Sequence, residues 1–280
     1  MRFSRLNHRI ARILKPDWII PDWPAPQHVK ALFTTRAGGA SAAPYDSLNL
    51  GDHVGDQPAD VAKNRHILQS DIAASPVFLQ QVHGTSVAEL TLQTPDGTVA
   101  DACMTAQTGV ACTIMVADCL PVIFTDMEGS FVAAAHAGWR GLAHGVLQST
   151  LNAVKKQFDG HFMPLASVNA AYDATKIIAW LGPCIGPTAF EVGDEVRAAF
   201  VDQSPPAASR FQAHGAGKWL ANLSGLARLQ LQQLGVTNIY GNDGSPPWCT
   251  VTQSSRFFSH RRDAGVLGSS GRMAACVWRV

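Results

Sequence analysis

Three short apolar segments follow one another closely in the middle of the chain, and they constrain the fold more than any other feature. The segments are residues 109–116, 121–125 and 131–135, and each is an almost unbroken apolar run. Runs of this length between turn residues are typical of strands buried inside a sheet. Residues 117–120 separate the first two segments, and Glu128, Gly129 and Ser130 predict a turn before the third. We therefore expect these strands to lie in the core.

Helix and strand patterns surround this centre on both sides. Apolar residues at helical spacing predict a helix over residues 138–158. Further patterns predict helices at 60–68, 194–201 and 219–234, strands at 29–35, 77–82, 177–181, 236–240 and 273–280, and loops at 161–176, 241–247 and 264–271. No repeat or linker divides the chain. The simplest interpretation is one mixed α/β domain over residues 18–280, preceded by a basic N-terminal extension over residues 1–17.

Composition and charge exclude several classes of protein. Lysine and arginine total 22 against 21 acidic residues, so no overall basic bias indicates a nucleic-acid partner. No apolar run is long enough to cross a bilayer, and the first fifteen residues lack the apolar core of a secretory signal. The six cysteines are scattered without a CxxC pair, which is typical of reduced cytosolic thiols. We expect a cytoplasmic protein without nucleic-acid or membrane partners.

Three residues with metal-binding side chains fall at the ends of predicted strands. His83 follows the strand at 77–82, Cys119 follows 109–116, and His136 follows 131–135. Neighbouring strand ends can bring such residues into one cleft. Zinc favours imidazole and thiolate ligands, and three protein ligands with one open position are typical of catalytic zinc, which activates a small oxygen nucleophile. The spacing is not that of a zinc finger, so purely structural roles for the three residues remain the alternative.

Other polar residues are candidates for binding or proton transfer. Asp118 precedes the cysteine and is a candidate general base or substrate-orienting group, or else it closes the turn. Arg140 is suited to bind an oxyanion, and the alternative is that it forms a surface ion pair. Arg36 beside two glycines is a second possible anion site. The segment 259–263 (Ser-His-Arg-Arg-Asp) either lines a cleft or forms an edge strand with solvated charges. Cys184 is better explained by the Gly-Pro turn around it than as a nucleophile.

Several motifs occur together in one order along the chain. They are Thr-Arg-Ala-Gly-Gly (35–39), Ser-Leu-Asn-Leu (47–50), Gln-Val-His-Gly (81–84), Ala-Asp-Cys-Leu-Pro (117–121), His-Ala-Gly-Trp-Arg-Gly (136–141), Gly-Pro (182–183) with Ile-Gly-Pro (185–187), and Phe-Phe-Ser (257–259) with Arg-Arg-Asp (261–263). With these motifs the chain resembles the YfiH-type family, also labelled "laccase domain" or polyphenol oxidoreductase, from about residue 18 to the C-terminus.

The resemblance implies a fold, an activity and a set of site residues. The fold is a single-domain α+β layered sandwich of mixed β-sheets flanked by helices, related to cysteine-dependent toxin deamidases. The activity is zinc-dependent phosphorolysis of adenosine, inosine and methylthioadenosine to base and ribose 1-phosphate, with deamination of adenosine. The implied partners are purine nucleosides and phosphate, and the protein is a monomer or small homo-oligomer. The implied residues are the metal ligands His83, Cys119 and His136, the catalytic residues Asp118, Cys119 and Arg140, and the substrate- or phosphate-binding residues Arg36, Asn49, Gln81, Arg140 and Arg262.

Three rival interpretations remain. A copper-dependent polyphenol oxidase needs dense histidine clusters, whereas the ten histidines here are dispersed with no HxH pair. A metal-free hydrolase would use Cys119 as nucleophile and His136 as base. A non-catalytic protein would use zinc as a structural cross-link, with Cys184 or Cys249 as the fourth ligand.

Overall fold

Two β-sheets packed face to face position the residues of interest. The computed structural model describes residues 17–158 and 172–280. In chain order its strands are β1 (Val29–Phe33), β2 (Ser75–Phe78), β3 (Val87–Glu89), β4 (Ala102–Thr105), β5 (Val110–Val116), β6 (Leu120–Asp126), β7 (Val132–Ala137), β8 (Ile177–Leu181), β9 (Glu191–Gly193), β10 (Phe211–Ala213), β11 (Lys218–Ala221), β12 (Asn238–Gly241) and β13 (Met273–Arg279).

Both large sheets are mixed. The four-stranded sheet has the order β1-β13-β5-β2, and the six-stranded sheet has the order β12-β8-β6-β7-β4-β3. The pairs β2–β5, β3–β4 and β8–β12 are parallel, and the other pairs of these sheets are antiparallel. A small third sheet has the order β10-β11-β9. The helices are α1 (Pro58–Ile72), α2 (Trp139–Ala143), α3 (Val146–Phe158), α4 (Asp194–Val201), α5 (Leu223–Gln233) and α6 (His260–Leu267).

The alternation of side chains along the strands explains why the central segments are apolar throughout. In β5, Ala111 and Met115 pack with Leu68 of α1, whereas Cys112 and Ile114 face the six-stranded sheet. In the six-stranded sheet, β6 turns one face to β5 and the other to helices α3 and α5. Each central strand is therefore covered on both faces. The predicted α+β layered sandwich of mixed sheets flanked by helices is confirmed.

Several predicted boundaries are wrong, and local backbone chemistry gives the reason. The helix predicted over 138–158 is divided into α2 and α3, because Gly145 adopts a left-handed φ of +89° between them. The helix predicted over 219–234 begins only after Asn222, whose side chain accepts a hydrogen bond from the Gly225 N–H. The residues before it form β11, because they pair with β9 and β10.

The segment 259–263 does not form the edge strand that was one of its two interpretations. Ser259 instead caps α6 by accepting a hydrogen bond from the Arg262 N–H at 3.1 Å, and α6 extends into the loop predicted at 264–271. His136 lies within β7 rather than beyond its end. Residues 1–16 of the predicted extension, and residues 161–171 of the predicted 161–176 loop, lie outside the described residues. None of the described helices is both long and apolar enough to cross a bilayer.

Candidate active site

The three predicted metal ligands meet where the two large sheets adjoin. His83 lies five residues after β2, because that strand ends at Phe78 and does not reach the predicted residue 82. Cys119 lies in the turn between β5 and β6, and His136 lies in β7 beside β6. Their ligand atoms all lie within 4.8 Å of one another. The Cys119 Sγ is 3.7 Å from the His83 Nε2, and the two imidazole rings are edge to face with centroids 4.7 Å apart. The structure therefore brings together three ligands that are separated by 36 and 17 positions in the sequence.

Two residues of the site hold a backbone conformation that side chains rarely adopt. The φ of His83 is +61° and that of Asp118 is +86°. Asp and His tolerate this left-handed region better than most residues, but a non-glycine residue there is uncommon. Such strain persists where surrounding contacts fix it, and it is concentrated at functional sites.

A buried carboxylate that sequence reasoning missed fixes both histidines. The Asp101 carboxylate accepts the backbone N–H groups of Val82, His83 and Gly84, at 3.1, 2.8 and 2.6 Å. The His136 Nδ1 lies 2.9 Å from the Asp101 Oδ1. Because a carboxylate only accepts hydrogen bonds, this nitrogen carries the proton, which leaves the His136 Nε2 free as a ligand. The one signal in the sequence is an acidic residue directly before the buried strand β4.

The charges of the site favour a thiolate beside a protonated imidazole when no metal is bound. Burial by itself raises the pKa of the Cys119 thiol. His136 and His83 lower the pKa by more than burial raises it, so that it falls to about 6. Burial lowers the pKa of His136, but the Cys119 sulfur and Asp101 raise it, to about 9. A cation at this position would replace the proton of His136 as the partner of the thiolate.

The donor set fits one borderline-soft metal ion. Two imidazoles and a thiolate are typical zinc ligands, and within the described residues no fourth His, Cys, Asp or Glu joins the group. Cys184 and Cys249 are engaged elsewhere: the Asn242 side chain donates to the sulfur of Cys184, and the Gly186 N–H donates to that of Cys249, both at 3.3 Å. A Cβ at Gly138 would lie 2.9 Å from the Cys119 Sγ, so the close approach of this backbone requires glycine.

A largely apolar pocket opens beside Cys119. Its cavity volume is about 170 Å³, and it is open to solvent at its mouth. Its lining consists of the 117–119 turn with Trp139, Ile185, Phe190, Leu223, His260 and Arg261. The Arg261 side chain donates to the backbone oxygen of Glu191 at 3.1 Å and lies over the Phe190 ring. Its apolar walls with a few polar groups suit a small aromatic ligand.

Asp118 lies in the pocket lining, and both of its carboxylate oxygens are hydrogen-bonded. The Thr250 hydroxyl donates to one oxygen at 2.5 Å, and the Arg261 backbone N–H at the start of α6 donates to the other at 2.6 Å. The carboxylate thus connects the Cys119 turn to α6. These contacts match the turn-closing role considered for it, and its catalytic role stays a prediction.

Most of the predicted phosphate- or substrate-binding side chains are committed to internal hydrogen bonds. Arg36 donates to the backbone oxygens of Asp46 and Ser254, and its guanidinium pairs with the Asp46 carboxylate. Asn49 contacts the backbone of Gly51 and Arg272 and the Asp56 carboxylate. Gln81 makes two 2.8 Å hydrogen bonds to the backbone of Met115 and so extends the β2–β5 pairing towards His83.

Arg262 and Arg140 differ sharply in how much of each guanidinium is free. Arg262 donates to both oxygens of Asp263 and to the backbone oxygens of Thr250, Val251 and Phe257. Arg140 is exposed and stacks on Trp139 at 4.4 Å, and within the described residues its guanidinium makes no hydrogen bond or ion pair. Of these two arginines, Arg140 is therefore the one placed to bind an external anion.

Comparison with known proteins identifies the family. Residues 30–280 match the family model described as multi-copper polyphenol oxidoreductase laccase. The chain belongs to this family. Among solved structures, this laccase-domain chain is similar to the Neisseria meningitidis protein NMB0706, with a TM-score of 0.81 and 45% identity over 94% of this chain and 98% of that one. It is also similar to YlmD from Geobacillus stearothermophilus, with a TM-score of 0.77 and 32% identity over 90% and 92%.

Curated relatives of the laccase-domain family carry a different description. The chain is 45% identical to "Purine nucleoside phosphorylase PA4543" of Pseudomonas aeruginosa, over 93% of this chain and 98% of that protein. It is 44% identical to "Purine nucleoside phosphorylase YfiH" of Escherichia coli K12, over 94% and 98%. The resemblance to the YfiH-type family is thus confirmed.

Replacing Asp101 tests its control of the metal ligands. In Asp101→Asn an NH2 group faces the Val82 and Gly84 N–H donors, so we expect zinc affinity to fall about 10- to 100-fold, measured by competition with a chromogenic chelator. Asp263→Asn is the matched control, because Asp263 is also a buried, hydrogen-bonded carboxylate but contacts none of the three ligands. Equal zinc affinity in the two variants would contradict the role of Asp101 in positioning the metal ligands.

Replacing Arg262 tests whether its role is structural. Arg262→Met removes the guanidinium donor from Asp263 and from three backbone oxygens, so we expect the free energy of unfolding to fall by about 2–4 kcal/mol, measured by urea denaturation. The Kd for inorganic phosphate should stay within about twofold of wild type, because an uncommitted donor is needed to bind an external anion. A large rise in that Kd with unchanged stability would indicate that Arg262 binds the anion.

Proposed function

We propose that this chain is a zinc-dependent purine nucleoside phosphorylase that also deaminates adenosine to inosine. The observation that carries the proposal is the juxtaposition of an open three-ligand site with a largely apolar pocket, which share Cys119. Relatives at 44–45% identity are named purine nucleoside phosphorylases. The proposed substrates are adenosine, inosine and methylthioadenosine, with phosphate as the second substrate.

The ligand chemistry supports zinc over copper. His83, Cys119 and His136 would hold the ion, and Asp101 would keep the His136 Nδ1 protonated so that its Nε2 faces the metal. When bound, zinc supplies Lewis-acid activation of a small oxygen nucleophile. The multi-copper wording of the family description requires several copper sites, whereas the described residues contain one group of three ligands.

The pocket supports a purine as the ligand. Trp139 and Phe190 provide aromatic surface, Ile185 and Leu223 provide aliphatic surface, and together they would exclude water from the base. His260 and Arg261 lie at the rim, where the polar edge of a purine would find donors. Arg140, stacked on Trp139, would orient phosphate near the sugar. Asp118 would position the base through the 117–119 turn.

One observation favours a second candidate, a metal-free thiol hydrolase. Cys119, His136 and Asp101 form a thiolate–imidazole–carboxylate series, which resembles the triad of cysteine hydrolases. In that mechanism His136 takes up and returns the proton of the thiol, and His83 only helps to lower the pKa of Cys119. The two candidates therefore differ in what they require of His83 and of the metal.

The first experiment is turnover of adenosine by protein of known metal content, with and without phosphate, followed by chromatography. Adenine that appears only with phosphate, at about one zinc per chain, supports the phosphorylase. Inosine that forms without phosphate supports the deaminase activity. Zinc removal should abolish both activities and readdition should restore them. Activity that survives chelation but is lost with iodoacetamide would contradict the zinc enzyme and favour the thiol hydrolase.

His83 gives the sharpest single substitution. His83→Ala should reduce turnover by about 10³-fold or more, since it removes one of three metal ligands. A thiol hydrolase would retain most of its activity, because His136 remains to lower the pKa of Cys119. His66→Ala, which changes an exposed histidine of α1, is the control for loss of an imidazole. Cys119→Ala and His136→Ala should be inactive under both mechanisms. Thermal unfolding of each variant checks that the fold persists.

Arg140 allows the two activities to be separated. Arg140→Ala removes a guanidinium with no internal partner among the described residues, so stability should change by less than about 0.5 kcal/mol. We expect the KM for phosphate to rise about tenfold, while phosphate-independent deamination of adenosine changes little. Equal loss of both activities would indicate that Arg140 supports the Trp139 wall rather than phosphate.

A further inference from the structure

Arg272 lies beside the metal-ligand turn, although no motif of the sequence indicates it. In the antiparallel pair β5–β13, Met273 is opposite Val116, so the next residue outward, Arg272, is level with Ala117. Ala117 begins the turn that carries Asp118 and Cys119. The other neighbour of β5 is β2, which leads through Gln81 to His83. The carboxyl end of β5 is thus flanked by the approach to His83 on one side and by Arg272 on the other.

The backbone and the aliphatic stem of Arg272 are held in place. The Asn49 side chain accepts the Arg272 N–H at 2.8 Å and the Gly51 N–H at 2.9 Å, and the Leu50 N–H donates to the Arg272 backbone oxygen at 3.0 Å. A Cβ at Gly51 would lie 2.7 Å from the Arg272 Cγ, so the stem passes directly over this glycine. The segment 49–51, with the predicted binding residue Asn49, therefore acts by anchoring Arg272.

The guanidinium of Arg272 keeps part of its donor capacity free. Its Nη1 donates to the backbone oxygens of Ser270 and Gly271, at 2.8 and 3.2 Å. Within residues 17–158 and 172–280, its Nε and Nη2 have no hydrogen-bond partner, and the guanidinium forms no ion pair within 4.0 Å. Arg36 and Arg262, in contrast, are committed to internal acceptors. Arg272 is half-buried and oriented, with unused donors.

Negative groups of the site lie within electrostatic range of this guanidinium. Burial lowers the pKa of Arg272, and Cys119 and Asp118 oppose that shift as nearby negative groups. His53 is close enough that, after burial, the charge of Arg272 also lowers its pKa. The Asp118 carboxylate is already bound by Thr250 and Arg261, and Asp52 pairs with Arg65. Neither acidic group therefore neutralises Arg272 through a direct ion pair.

We propose that Arg272, with its unused Nε and Nη2 donors, binds the phosphate that attacks the nucleoside. This inference rests on the proposed phosphorylase function and extends it. Arg272 does not line the purine pocket, so it could hold phosphate apart from the base on the Cys119 side of the site.

A phosphate oxygen bonds to the anomeric carbon while the carbon–nitrogen bond breaks. The electron pair leaves with the purine, which takes up the proton that phosphate releases. Arg272 orients the attacking phosphate, and Arg140, which stacks on Trp139, provides a second contact to it.

The test measures inorganic phosphate directly. Zinc-loaded wild type, Arg272→Met and Arg272→Lys are titrated with phosphate by calorimetry, and zinc content and thermal unfolding are recorded for each. We expect the Kd and KM for phosphate to rise about 10- to 100-fold in Arg272→Met. Arg272→Lys should recover only part of the affinity, because an ammonium group lacks the paired donors. Phosphate-independent deamination and zinc content should stay within about twofold of wild type, since the substitution removes an anion contact and no metal ligand. Arg197→Met, which removes a half-buried arginine stacked on Trp219, is the matched control.

Each outcome decides the inference. If Arg272→Met fails to fold, Arg272→Lys still tests it, since charge is kept and the paired geometry is lost. Unchanged phosphate affinity in both variants overturns it, as does zinc loss in parallel with phosphate loss. Wild type that binds AMP through Arg272 but not inorganic phosphate also overturns it, because the anion would then belong to the nucleotide. If wild type binds phosphate through Arg272 yet releases no base, the proposed function fails while the anion site stands.

Discussion

The Asp101 carboxylate is the interaction on which the geometry of the site depends. It is fully buried, and each oxygen accepts two hydrogen bonds, from Val82 and Gly84 at one and from His83 and His136 at the other. These four donors fill its acceptor sites, which offsets the cost of burying a charge. The same group fixes the left-handed backbone at His83 and the ring of His136, so one carboxylate joins the loop after β2 to the strand β7 of the other sheet.

The arginines show that membership in a sequence motif does not predict whether a side chain is free to bind a ligand. Arg36 and Arg262 stand in motifs that carry the family resemblance, yet their guanidinium groups hold loops together through backbone oxygens and Asp46 or Asp263. Arg272 stands in no motif, but the β5–β13 register brings it next to the Cys119 turn. Whether a guanidinium is free depends on which acceptors the folded backbone brings within its reach, and this is not visible in a sequence.

The parts of the fold that were predictable are those that local chemistry determines. The strands β5, β6 and β7 were predicted within two residues at each end, because each is an apolar run between turn residues. The helix predicted at 219–234 was too long because β11 is a strand only through its pairing with β9 and β10. His83, Cys119 and His136 were predictable as ligand types at strand ends, whereas Asp101 acts on residues 17 to 35 positions away.

The conformation of His83 distinguishes the two chemistries that the site can support. Cys119, His136 and Asp101 alone would suffice for a thiol hydrolase, in which His83 would only lower the pKa of Cys119 further. His83 nevertheless holds a φ of +61°, with its Nε2 3.7 Å from the Cys119 Sγ and its backbone bound to Asp101. Strain of about 1–3 kcal/mol at such a residue persists where the structure uses the resulting position. The position that this strain maintains is that of a third ligand, and it favours a metal enzyme.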